Sequence, residues 1–206
     1  MTDGAARLLF LQTENAPPPS LPATPASGKP GHLPTPYIKE QPGVEEVLEE
    51  AYKRLISRGG PDDLERWTSG QWMTERPGGS DVSNTETVAV YSPLTTEEIG
   101  EMGLREGDND ALGPWVINGY KFFSSATDAN MTILLARTEG AKGLSAFYAP
   151  LKRKALTALT RPEHDEGLAE GEEWNGIRIV RLKKKLGTRP VATGEIELEG
   201  MRGWLV

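Results

Sequence analysis

The sequence predicts a mainly β domain, an antiparallel sandwich or barrel, preceded by a short helical segment and a disordered proline-rich tail. Three observations carry this expectation. After residue 70 the apolar period shortens toward two, in short runs bounded by polar or Gly-containing stretches and with no helical pattern between them. An Asn-Gly pair, Asn118-Gly119, stands between two β-rich runs, where it favours a type I′ hairpin turn. Nine of the sixteen prolines fall between Pro17 and Pro42, where missing amides and fixed φ work against regular structure.

Taken in order, residues 1–43 read as a disordered or polyproline-like tail. From Val44 the pattern turns helical: Val44, Val47, Leu48, Ala51 and Leu55 share one face, and Glu45, Glu46, Glu49, Glu50 and Lys53 the other. Acids early and Arg54 and Arg58 late suit the helix dipole, and Gly59-Gly60 ends the helix. Only a short candidate helix, Asp62 to Trp67, follows, so residues 44–68 read as the remnant of a helical domain with packing partners missing. Strands are expected at Thr87–Tyr91, Trp115–Ile117, Tyr120–Phe123, Thr132–Arg137, Leu144–Ala149, Ile177–Leu182 and Glu195–Leu198. Thr95–Gly113 and Thr160–Asn175, acidic and without apolar periodicity, read as surface loops.

With 206 residues there is room for one ordinary core and an attached tail. The net charge of -7 and pI near 5.0 disfavour binding to nucleic acid or to an anionic membrane surface. No cysteine is present, which excludes a disulfide framework, a thiolate nucleophile and a thiolate zinc site. The early apolar run Leu8–Leu11 is too short to span a bilayer and lacks the flanks of a secretory signal. An intracellular, soluble protein is expected, the choice between mitochondrion, peroxisome and cytoplasm staying open. His32 and His164 lie in expected loops without partners at ligand spacing, so no metal site is expected.

The segment Gln71-Trp72-Met73-Thr74-Glu75-Arg76-Pro77-Gly78-Gly79-Ser80-Asp81 joins hydroxyls, a Gly pair and a large aromatic, which suits close approach to a flat, phosphorylated ligand. Such a turn also serves as a plain tight connection, and the segment alone leaves both readings open. The basic run Arg181–Lys185 reads as a solvated strand end or a domain contact rather than a nucleic-acid site.

In combination, Met73-Thr74-Glu75 with Gly78-Gly79-Ser80-Asp81, then Asn118-Gly119-Tyr120-Lys121-Phe122-Phe123-Ser124, then Arg181-Leu182-Lys183-Lys184-Lys185-Leu186-Gly187-Thr188-Arg189, resemble the middle domain of the acyl-CoA dehydrogenase family. Gly-Gly-Ser-Asp-Val-Ser-Asn-Thr, Phe-Phe-Ser, Gly-Leu-Ser-Ala-Phe and the closing Gly-Trp-Leu place the resemblance nearest the adaptive-response, AidB-like branch. The resemblance implies a middle-domain-like antiparallel β-barrel or sandwich over residues 69–206 and FAD as cofactor. It implies that Gln71, Trp72, Met73, Thr74, Gly78, Gly79 and Ser80, with Phe122, Phe123 and Ser124, form one wall of the flavin site. Thr74 would bond the pyrimidine edge, and Ser80 would lie by the pyrophosphate and the entering acyl-CoA thioester. Phe122 stands where many relatives carry Trp and keeps an apolar face without the indole donor. Ser124 would offer its hydroxyl near the reactive nitrogen.

The family's reaction removes an α-proton with a Glu carboxylate from a C-terminal helical bundle while the β-hydride passes to the flavin. The chain ends one strand after the Leu-Gly-Thr-Arg motif. The expectation is therefore that the C-terminal helical domain and the base are absent, that no catalytic residue lies in this chain, and that it lacks turnover alone. Full-length relatives imply a homo-oligomer, and the electron acceptor stays open. A second reading is a non-catalytic module of the same fold that binds flavin or CoA weakly or serves assembly, with the proline-rich tail in its favour.

Overall fold

A computed structural model of the chain describes residues 2–14, 41, 43–60, 64–79, 81–101, 112–139, 143–154, 168, 171–187 and 190–206. Its helices are α1 (Thr2–Glu14), α2 (Val44–Ile56) and the short α3 (Thr96–Glu101). The strands are β1 (Ser69–Trp72), β2 (Val88–Tyr91), β3 (Trp115–Ser125), β4 (Met131–Thr138), β5 (Ser145–Pro150), β6 (Lys152–Lys154), β7 (Glu172–Trp174), β8 (Ile177–Leu182) and β9 (Thr193–Leu205).

The long sheet runs β1-β3-β2-β4-β5-β9-β8 and closes on itself because β3 also pairs with β9. Strands β3, β2, β4, β5 and β9 form the barrel ring, and β8 is an outer edge strand on β9. Closure removes sheet edges and lets apolar positions converge. The interior holds Trp72, Ala89, Trp115, Ile117, Leu134, Phe147, Ile196, Leu198 and Met201, all buried. Most pairings are antiparallel, as expected; β4, however, runs parallel to both β1 and β2.

Those two parallel pairings explain where the loop of interest leaves the barrel. Both β1 and β2 lie between β3 and β4, β1 beside the Met131–Leu134 stretch of β4 and β2 beside Arg137 and Thr138. They are two collinear halves of one interrupted strand. Residues 73–87 are the excursion between them, which carries the Thr74–Gly79 segment out of the wall.

Several expectations need correction. The stretches Thr95–Gly113 and Thr160–Asn175, expected as loops, hold the short helix Thr96–Glu101 and the strand Glu172–Trp174, which pairs with β6. Asn118-Gly119 does not turn: β3 is one continuous strand of 11 residues. The Asn118 side chain accepts a hydrogen bond from the Gly200 amide at 2.8 Å, across to β9. Gly119 is needed because a Cβ there would stand 2.4 Å from Thr87 Oγ1 and 2.8 Å from Thr87 Cα, so close packing against the returning excursion replaces the turn. Nor does the tail begin at residue 1, since Thr2–Glu14 is helical. Its Ala5, Ala6 and Leu9 pack with Val47, Leu48, Ala51 and Leu55 of α2 against Met131, Ile133, Tyr148 and Trp204 on the outside of the barrel. The partners that the α2 stripe needed are thus α1 and the barrel itself. The proline-rich stretch 15–40 lies outside the described residues. Leu64–Thr68, the second half of the short candidate helix and the residue after it, has no regular structure.

Gln41 ties the region before α2 to the barrel. Its side chain is buried, donates to the Leu205 carbonyl at 3.2 Å and accepts from the Leu205 amide at 2.7 Å and the Trp115 indole at 3.1 Å.

Candidate functional site

The excursion and β3 meet at two consecutive positions. The Phe122 amide donates to the Thr74 carbonyl at 2.9 Å. One residue along on each side, Lys121 Nζ donates to Glu75 Oε1 at 2.6 Å, and both side chains are buried. The same ammonium donates to the Leu135 carbonyl at 2.7 Å. Leu135 lies on β4 between the stretch paired with β1 and the stretch paired with β2, so the lysine serves a carbonyl that the interrupted strand leaves free. The Glu75 carboxylate also accepts from the Glu86 amide at 2.6 Å and from the Thr87 hydroxyl at 2.5 Å. Burial by itself would raise the Glu75 carboxyl, but the bonds from Lys121, Thr87 and the Glu86 amide outweigh it and hold it below its ordinary value. Burial lowers the Lys121 ammonium, and Glu75 offsets this in part.

The aromatic pair of β3 sits at a bulge. Pairing with β9 shifts between Lys121 and Ser124, so Lys121 and Ser124 both face inward and the two phenylalanines between them stay off the core. Phe123 is 47% exposed, and Phe122 is half-buried. The alternation expected of a regular strand, which would bury one of the two, does not occur. Ser124 is fully buried, and among the described residues its hydroxyl has no hydrogen-bond partner.

Beside Phe122 lies a cluster that sequence reasoning missed. The buried Glu195 carboxylate accepts from Lys183 Nζ at 2.6 Å, Arg181 Nε at 3.1 Å, Arg76 Nη2 at 3.2 Å and the Tyr120 hydroxyl. Hydrogen bonds from Lys183, Tyr120 and Arg181 hold its carboxyl well below the usual carboxylate range. Lys183 Nζ lies 3.5 Å from the Phe122 ring centroid, and the Arg76 guanidinium lies 5.6 Å from it on a longer cation–π contact. The pairing of Arg181 with Glu195 across β8 and β9 was the available signal, but it needed the hairpin register to be seen. Arg181 and Lys183, read from sequence as part of a solvated basic run, are therefore committed to a carboxylate. A cavity of about 260 Å³ lined by Arg76, Pro77, Glu86 and Tyr120 opens beside this cluster.

Of the expected wall residues, Thr74 and Phe122 are brought together at the excursion's exit, whereas Ser124 points into the barrel beside Lys121. Gly78 fits the turn because a Cβ there would meet the Asp81 carbonyl oxygen at 2.1 Å, and Gly79 faces open space. Gln71 is half-buried on β1. Trp72 does not face a ligand surface: it is fully buried in the barrel core, and its indole donates to the Ser125 carbonyl at 3.1 Å. Met73 packs toward the helical cluster. Ser80 lies outside the described residues.

A glycine turn with one open side and the half-buried Phe122 beside it suit a planar cofactor that carries phosphates. The fit is not complete without movement, because Ser124 is enclosed and Lys183 covers one face of Phe122.

The family model described as acyl-CoA dehydrogenase, middle domain, matches residues 70–201. Acyl-CoA dehydrogenase family member 11 of Caenorhabditis elegans is 36% identical over 167 residues, covering 77% of this chain and 21% of the relative. AidB of Escherichia coli (strain K12) is 30% identical over 174 residues, covering 84% of this chain and 25% of the relative. The crystal structure of Caenorhabditis elegans ACDH-11 in complex with C11-CoA is 30% identical, with a TM-score of 0.59, and covers 100% of this chain and 25% of that one. The chain thus spans about a quarter of the length of the relatives it matches.

Proposed function

The chain belongs to the acyl-CoA dehydrogenase family, in its AidB-like branch, through the middle domain, and from that premise we propose that it supplies the flavin-facing β-domain of an FAD-dependent oxidoreductase acting on an acyl-CoA thioester. The observation that carries the reading is the junction of Thr74 and Phe122, joined at 2.9 Å, with the spare Ser124 hydroxyl two residues on. When bound, FAD would accept the hydride that leaves the β-carbon of the substrate. The rest is positioning by this chain. Thr74 would hold the pyrimidine edge, Phe122 would offer an apolar face, and Ser124 would supply a hydroxyl once uncovered. The Gly78-Gly79 turn would leave room for the pyrophosphate. The acyl-CoA class is supported by the relative whose structure holds C11-CoA.

The α-proton needs a carboxylate poised near the working pH. Glu75 and Glu195, the buried carboxylates of this region, are each engaged by several hydrogen-bond donors and at least one cation, an arrangement that suits a structural role rather than that of the base. In this reading the base comes from outside the β-domain, and the 206-residue chain alone oxidises no acyl-CoA. Among the described residues no helix is long and apolar enough to cross a membrane.

Of the second reading, a non-catalytic module that binds flavin or CoA weakly or serves assembly, the assembly form is favoured by one observation: Lys183 already covers a face of Phe122 at 3.5 Å. Titrating the purified chain with FAD, followed by flavin fluorescence, separates the two. Saturable binding weakened by Thr74→Ala or Ser124→Ala supports the cofactor wall. Binding absent in the wild-type chain supports the module.

A further inference from the structure

The excursion that carries Thr74 and the glycine turn leaves the barrel through a break in its wall. Between the β1-paired and β2-paired stretches of β4, no described strand lies between β3 and β4, and a barrel left open there would expose the Leu135 carbonyl and let the excursion shift. Three side chains close the break: Lys121 from β3, Glu75 from the excursion's start and Thr87 from its end. Gly119 lets Thr87 approach β3 closely enough to join them.

We propose that Glu75 and Lys121 are positioning residues for the flavin wall: their buried pair plugs the break in the barrel and fixes the excursion against β3, so that Thr74 and Phe122 are set at one spacing before any cofactor arrives. This rests on the cofactor reading for its purpose, though not for its geometry. A buried ion pair is a poor source of stability, since apolar replacements often match it; its charges demand one arrangement, because any other leaves a buried charge unpaired. The consecutive ties 74 to 122 and 75 to 121 make that arrangement the spacing of the wall itself.

The test uses the full 206-residue chain and two variants. Glu75→Gln alone leaves the Lys121 ammonium short of a counter-charge. Glu75→Gln/Lys121→Met keeps an acceptor for the Glu86 and Thr87 amides, removes the buried charges, and cuts the tie to β3. Hydrogen exchange is followed by mass spectrometry on peptides covering residues 73–79 and 120–125, with α2 as internal reference. FAD affinity is measured alongside, at a temperature well below the melting transition. We expect the double variant to melt cooperatively near the wild-type temperature, exchange at least about tenfold faster in those two segments alone, and bind FAD about tenfold more weakly. Unchanged local exchange in a folded double variant would overturn the proposal, as would failure of both variants to fold, which would make the pair a stabiliser of the barrel as a whole. If the wild-type chain binds no FAD, the cofactor reading fails, and local exchange alone decides the positioning role.

Discussion

Gly119→Ala puts a methyl group where the returning excursion already sits. The added Cβ would lie 2.4 Å from Thr87 Oγ1 and 2.8 Å from both Cα and Cβ of Thr87, and Thr87 is fully buried. Relief requires moving backbone as well as the hydroxyl, so overpacking of this kind costs about 1–3 kcal/mol. The displaced hydroxyl is the one that bonds Glu75 at 2.5 Å, and weakening a buried bond to a carboxylate adds about 1–2 kcal/mol. The sum, roughly 2–5 kcal/mol, lowers the melting temperature of a unit this size by roughly 4–20 °C. Thermal unfolding followed by circular dichroism measures it. The comparison with Gly119→Asn sharpens the point: an Asn-Gly hairpin turn would accept Asn readily, since Asn visits the left-handed region, whereas close packing rejects Asn as strongly as Ala. A melting temperature within about 2 °C of wild type for either variant would refute the close-approach explanation.

Other consequences follow from the same contacts. Glu75 and Glu195 have folded-state carboxyls below the ordinary value of 4.5, so the unfolded chain binds protons more readily; stability present in full above that pH is lost as the pH falls from there through the lower folded-state values, and Glu195→Gln should flatten the fall in urea midpoint on acidification, equal slopes contradicting this. Gln41→Ala strands the Leu205 amide and carbonyl and the Trp115 indole, and should cost about 2–4 kcal/mol by urea unfolding. A loss under about 0.5 kcal/mol would show that the strap is not held. Trp72→Phe removes the indole bond to Ser125 and core volume, costing about 1–3 kcal/mol, yet should leave FAD affinity unchanged; a matching loss of affinity would return Trp72 to the cofactor wall.

The β class was legible because strand periodicity is a local property, and Ile177–Leu182 carries its own boundaries in sequence. What escaped was decided at long range. Asn118-Gly119 has the chemistry of a turn, and only the approach of Thr87 and the bond to Gly200 keep it extended. Helix α1 has a narrow apolar stripe that makes sense only once α2 and the barrel face it. Trp72 alternates as a core strand residue should, but its place in the family motif sets it beside the Thr74 segment, and only the end of β1 at Trp72 separates the two. The bulge at Phe122 and Phe123 follows from pairing with β9 about seventy residues on, and no local pattern announces it. The pair of Glu75 and Lys121, 46 residues apart, was visible only as two polar residues inside family motifs.

The central claim is that the Thr74 turn and the Phe122–Ser124 segment form one face for a flavin. Titrating isotope-labelled chain with FAD and following backbone amide resonances tests it directly. Saturable shifts at Thr74, Gly78, Gly79 and Phe122 through Ser124, with α1 and α2 unmoved, are the predicted result. Shifts confined to other surfaces, or none at saturating FAD, would contradict it.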